Sequence, residues 1–185
     1  MITETRNIID HYHYWTTEAI KVNLDTKRHN FTVIASNLGN DFNIATLIRN
    51  SNAFLAKEVW IYGNKQYDRR GTVGTHNYTN FRHVRTIDDI KKELESLKSS
   101  HGNNIRIVGM DNVDTSVSLT TYKWSSVHTV MIFGQEQIGI SQDLLDLCDD
   151  IVYIPQYGSV RSLNVGTASG IAMFDYCSKV VDNGK

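Results

Sequence analysis

The chain has 185 residues, 41% hydrophobic and 21% charged, with a formal net charge of −1. That length suits one domain able to bury a core without staples, and apolar residues recurring throughout exclude disorder as the main state. The longest uncharged apolar stretches, such as Val127–Phe133, fall far short of the ~18–20 residues of a helical span. No membrane partner is expected. Cys148 and Cys177 lie far apart and offer no metal-type spacing, so they read as two reduced thiols of a cytoplasmic protein with no metal site. No basic segment followed by an apolar run opens the chain, so no secretory signal is expected.

Charge is unevenly placed. Lys65, Arg69, Arg70, Arg82 and Arg85 stand against Asp68 alone, whereas the stretch from Asp143 to Asp150 is acidic with no base. A local basic stripe on a nearly neutral protein can hold phosphate.

In chain order, Ile8, Tyr12, Trp15, Ala19 and Val22 recur at three- and four-residue steps and predict a first helix. Phe31–Ala35 reads as a strand. Asn40 and Asp41 can cap a helix with Ile44, Leu47, Ile48 and Leu55 inward. Val59–Tyr62 is the next strand, ended by Gly63. Residues 64–85 form a basic connection with room for a short strand near Phe81–Val84. Asp88 can cap a helix with Ile90, Leu94 and Leu97 inward, and Ile105–Met110 follows as a strand. After the polar stretch 111–126, Val127–Phe133 suits a buried parallel strand. Ser141 can cap a short helix, Ile151–Ile154 is the last strand, and a final helix is expected from about Leu163 to Val181. This alternation argues for an α/β domain whose parallel sheet carries helices on both faces.

Three segments sit at the carboxyl ends of expected strands, where open α/β sheets bind ligands. They are Asn37–Arg49, Phe133–Ser141 and Ile154–Val165. Singly, each has an ordinary explanation as a turn, a cap or a loop. Together they are specific. Asn43 and Arg49, then Gly134, Glu136 and Gly139, then Ile154-Pro155, Gly158 and Ser162-Leu163-Asn164-Val165 resemble the three signature motifs of the SpoU (TrmH) branch of the SPOUT RNA methyltransferases. The stretch Asp68–His76 also looks like a segment of that branch, and the resemblance runs from about Phe31 to Val181. Gly166 and Thr167 depart from it, where a small residue and then Val or Ala are common, as does Gln135.

The resemblance implies an α/β domain over residues 31–185, preceded by a helical extension over 1–30, with a C-terminal trefoil knot (the SPOUT fold). Such knots are exceptions to the rule that chains do not thread loops. It implies S-adenosylmethionine as cofactor, held around Gly134, Ile154, Gln156, Gly158 and Leu163. Glycines there would let backbone approach the ligand, and Ile154 with Leu163 would sandwich its adenine. The reaction implied is methyl transfer to a ribose 2′-hydroxyl of tRNA or rRNA. Arg49 would stabilise the developing alkoxide beside a phosphate, since arginine keeps its proton. Asn43, Glu136, Ser162 and Asn164 would orient the ribose, Arg49 and the loops. Lys65, Arg69, Arg70 and Arg82 would contact RNA.

No separate RNA-binding domain or basic C-terminal extension is expected, so substrate grip falls to residues 1–30, the basic stripe and a partner subunit of a homodimer. The alternative is a catalytically inactive module of the same fold that binds RNA or assists assembly. A plain nucleotide-binding domain is weakened by the lack of a strand–GxGxxG–helix phosphate loop.

Overall fold

The computed structural model describes residues 6–37, 41–64, 66–135 and 138–182. Its strands are β1 (Phe31–Asn37), β2 (Glu58–Gly63), β3 (Phe81–Val84), β4 (Ile105–Met110), β5 (Val117–Ser118), β6 (His128–Phe133) and β7 (Asp150–Tyr153). All run parallel in one sheet of order β3-β2-β1-β6-β4-β7-β5. The central strand β6 is buried along its whole length, which is why its sequence is continuously apolar rather than alternating.

Helices cover both faces. They are α1 (Thr17–Asp25), α2 (Asp41–Ala53), α3 (Ile87–Ser100), α4 (Gln142–Leu145) and α5 (Val165–Tyr176). Successive strand residues point to opposite faces. Thus Phe31, Val33 and Ala35 pack with α2 and α5 through Ile44, Leu47, Ile48, Met173 and Tyr176. Ile34 and Ile132 pack with α3 and α4 through Ile90, Leu94 and Leu144. Burial of each such large side chain contributes about 1.5–3 kcal/mol.

Several local expectations are corrected. The first stripe is split into a 3-10 turn, Asp10–Tyr12, and α1, which Thr16 caps through Ala19 N at 3.1 Å. Ile20 rather than Ala19 or Val22 faces inward, against Tyr12 and Tyr78. Leu55 lies beyond α2 at φ 52°, in the turn that enters β2. Thr86, not Asp88, caps α3, and it forms a capping box with Asp89, whose carboxylate accepts from Thr86 N. The Ser141 side chain makes no capping bond to α4. β5 was hidden in a polar stretch, and α5 gives way to a π turn, Cys177–Val181. Asn40 lies outside the described residues.

The packing of α5 on α2 explains one departure from the family pattern. A Cβ on the buried Gly166 would lie 2.7 Å from Thr46 Cγ2, so only glycine allows this approach. Asn50 Nδ2 then donates to Gly166 O at 2.8 Å and to Ser169 Oγ at 2.9 Å, closing the helix pair.

Candidate active site

The strand order reverses direction beside β6, and a cleft of 570 Å³ opens there at the carboxyl ends of β4, β6 and β7. Its size falls within the roughly 300–1,000 Å³ of ligand pockets, and its place at the switch point is where such sheets bind ligands. Met110–Asn112 form one wall and Phe133–Gln135 with Ile138 and Gly139 another. Val152–Ile154, Gln156, Arg161–Leu163, Val165 and Ala168 complete it.

Four of the five residues expected at the cofactor line this cleft: Gly134, Ile154, Gln156 and Leu163. Gly158 does not. It is exposed with open space where its Cβ would stand, so its lack of a side chain is not what shapes the cleft. Gly134 is needed for a reason other than ligand approach. A Cβ there would lie 2.1 Å from the backbone carbon of Gly139, because Gln135 and Gly139 exchange two backbone hydrogen bonds of 2.9 Å across a tight turn. The turn itself demands the glycine.

Gln156 donates through Nε2 to Arg161 O at 3.3 Å, while its buried Oε1 has no partner among the described residues. An unpaired buried acceptor is costly unless a ligand donates to it. Apolar walls from Met110, Ile154, Leu163 and Val165, together with an acceptor of this kind, fit the adenosyl part of S-adenosylmethionine, whose exocyclic amine is a donor.

Asn43 and Asn164, 121 positions apart, meet beside the cleft, where Asn164 Nδ2 donates to Asn43 Oδ1 at 2.7 Å. Asn164 also caps α5, accepting from Thr167 N at 3.1 Å. Asn43 is buried in the first turns of α2, and its Nδ2 has no partner among the described residues. Ser162 lines the cleft and is exposed. Glu136 and Lys65 lie outside the described residues.

Arg49 is exposed and has no hydrogen-bond or ion-pair partner among the described residues. Six residues along α2 turn it about 240° from Asn43. It therefore sits between the Thr46 side, packed on α5, and the Ala45 side, which meets Gly71. Gly71 belongs to the 3-10 turn Arg69–Thr72. Arg69 is exposed there, and Arg70 is exposed but bound to Asp68 at 2.6 Å. Those hydrogen bonds from Arg70 hold the Asp68 carboxyl below its ordinary range. Burial, reinforced by Arg69, lowers the His76 pKa, and His76 Nδ1 lies 2.6 Å from Thr72 Oγ1.

Arg82 stands apart from this group. It lies on the edge strand β3, over the Trp60 ring and bound by Glu58 and Glu93. Its charge is therefore matched within the fold, and the basic stripe is two separate features. Burial pushes the Cys177 thiol up to about 11 and Cys148 up to about 12, as suits inert core thiols.

Asp111, Asn112 and Arg161 also line the cleft and were not singled out from the sequence. The available signal for Asp111 was its position directly after an expected strand.

The model of the SpoU rRNA Methylase family matches residues 30–174. A tRNA (guanosine(18)-2'-O)-methyltransferase of Aquifex aeolicus is 25% identical over 156 residues, covering 82% of this chain and 71% of that protein. The Escherichia coli (strain K12) protein of that name is 26% identical over 155 residues, covering 82% of this chain and 65% of its own. In fold, the chain is similar to the SpoU methyltransferase AviRb of Streptomyces viridochromogenes, solved in complex with the cofactor AdoMet. The TM-score is 0.75 at 23% identity, over 84% of this chain and 62% of that one.

Proposed function

The chain belongs to the SpoU rRNA methylase family, and from that membership we propose that it methylates a ribose 2′-hydroxyl of tRNA or rRNA. It is an enzyme, and S-adenosylmethionine is its cofactor. The observation that carries the reading is the junction of the first and third motifs, Asn43 on Asn164 at 2.7 Å, beside the 570 Å³ cleft. When bound, the cofactor supplies a methyl group made electrophilic by its sulfonium.

The chain's own residues do the rest. Ile154 and Leu163 clasp the adenosyl part, and Gln156 Oε1 accepts from its polar edge. Asn164, fixed by the α5 cap, holds Asn43 so that its Nδ2, without a partner among the described residues, can donate to the substrate. Arg49 binds the phosphate next to the target ribose and stabilises the alkoxide as the proton leaves. Its guanidinium keeps its own proton, so the hydroxyl proton passes to that phosphate or to another substrate group. Arg69 and Arg70, on the turn packed against α2, extend the phosphate contact.

The enzyme works as a homodimer. Support comes from α5, which leaves Ile171 and Phe174 exposed on its outer side. The segment before β1, whose described residues 6–30 carry the 3-10 turn and α1, is a helical extension on the methyltransferase domain, tied to it by Arg28, which donates to Ala56 O and Tyr78 O at 3.0 and 2.7 Å. The C-terminal segment is threaded as a trefoil knot. What favours this is that β6 and β7 flank β4 on opposite sides, so the chain rounds β4 between them. The free thiols of Cys148 and Cys177 suit the reducing cytoplasm.

Two measurements test the reading. Calorimetry should show binding of S-adenosylhomocysteine, the demethylated product, to the folded protein. Mapping 2′-O-methyl positions in total RNA with and without the protein should then reveal one lost site. A folded protein that binds no product would end the enzyme reading.

A further inference from the structure

Asp111 is the one carboxylate among the described residues lining the cleft, and its geometry is tightly determined. Its backbone N–H donates to Val152 O at 3.1 Å, which fixes it to β7. Its side chain takes two more backbone donors, Ile140 N on Oδ2 and Asn112 N on Oδ1, each at 2.7 Å. Ile140 ends the turn that forms the opposite wall of the cleft and is itself anchored in the core under α4. A Cβ on Gly139, whose φ is 67°, would lie 2.5 Å from Asp111 Oδ2. The second glycine of the Gly134–Gly139 motif thus leaves room for this carboxylate, as the first leaves room for Gly139.

We propose that Asp111 is the positioning residue of the cofactor site, its carboxylate strapping Gly139 and Ile140 to the end of β4 and so setting the width of the cleft. This rests on the reading of the cleft as the S-adenosylmethionine site. The carboxylate suits the task because it offers one oxygen to each wall. An amide has a single acceptor oxygen, so Asp111→Asn must turn an N–H toward one of the two backbone donors. A hydrogen bond to a charged group is strong enough that losing it weakens a dependent ligand by roughly ten- to a hundredfold.

The test is calorimetric titration of S-adenosylhomocysteine into wild type, Asp111→Asn and Gly139→Ala, with urea unfolding of each. Asp111→Asn should bind roughly ten- to a hundredfold more weakly, and its KM for the methyl donor should rise by more than kcat falls. Gly139→Ala, which pushes the carboxylate aside, should lose affinity in the same direction, and it decides the matter should Asp111→Asn not fold. Unchanged affinity in a folded variant, even with a lower unfolding midpoint, would show a purely structural carboxylate and overturn the inference alone. Wild type that fails to bind would overturn the cofactor reading and this inference with it.

Discussion

Asn164 Nδ2 donates to Asn43 Oδ1 at 2.7 Å while Asn164 Oδ1 caps α5, so one side chain joins helix α5 to helix α2. The two halves of that amide do separate work, and substitutions can separate them. Asn164→Ala removes both and should cost about 1–2 kcal/mol of stability along with activity. Asn164→Asp keeps the cap but offers no donor, so Asn43 must turn over and present its oxygen where its nitrogen stood. Its urea midpoint should stay near wild type while methyl transfer falls at least about tenfold. An Asn164→Asp enzyme of full activity would remove Asn43 Nδ2 from the mechanism.

Arg49 is exposed and has no hydrogen-bond or ion-pair partner among the described residues, so Arg49→Ala should leave the unfolding midpoint and product binding intact while methylation drops by about 10²–10³. Its turn away from Asn43 on α2 suits a site completed across a two-fold axis. If so, mixing Arg49→Ala chains with Asn164→Ala chains restores roughly a quarter of all sites after random exchange. Exchange demonstrated with tagged subunits but bringing no recovery would place both residues in the same chain's site.

The basic residues divide by place: Arg69 and Arg70 are exposed on the turn packed against α2, even though Arg70 pairs with Asp68, whereas Arg82 is held on the edge strand between two carboxylates. Arg69→Ala with Arg70→Ala should weaken RNA binding and flatten the slope of log affinity against log salt by about one to two units. Arg82→Ala, by contrast, strips Glu58 and Glu93 of their cation and should lower stability by about 1 kcal/mol with RNA affinity unmoved. Filter binding across a salt series distinguishes the two.

His128 sets an acid limit on the fold. It is 1% exposed, between Thr32 Oγ1 at 3.0 Å and Asn30 Oδ1 at 2.8 Å. Burial, with His101 and Lys57 nearby, pulls its pKa down to about 4. The unfolded chain takes up this proton near pH 6.5 and the folded one does not. The associated stability is therefore complete above about pH 6.5 and is lost as pH falls toward 4, up to about 3 kcal/mol. Urea midpoints at pH 7.5 and 5 should differ, and His128→Gln should shrink the difference.

Most strands were legible because burial writes itself into composition: β6 could be recognised from Val127–Phe133 alone. The misses are local. Thr86 outcompeted Asp88 as a cap because Asp89 stands three residues on and returns the bond. The first helix broke at residues 13–16 because Tyr12 packs on Ile20 and Tyr78 rather than continuing one stripe. β5 has two residues and owes its existence to β7 beside it.

Of the site, the sequence by itself determined the chemistry on offer: two asparagines, an arginine and a pair of glycines, in an order that marks their family. It could not say that Asn43 and Asn164 touch, that Arg82 is already matched by two carboxylates, or that Gly134 and Gly139 serve Gly139's backbone and Asp111. Asn43 and Asn164 stand 121 positions apart, Arg82 and Glu58 24, and Asp111 and the Ile140 N–H beside Gly139 29. Spacing along a helix or strand reports which face a residue occupies, and nothing in it reports what another element brings to that face. Only the order in which the strands line up, with β6 and β7 on either side of β4, closes those distances.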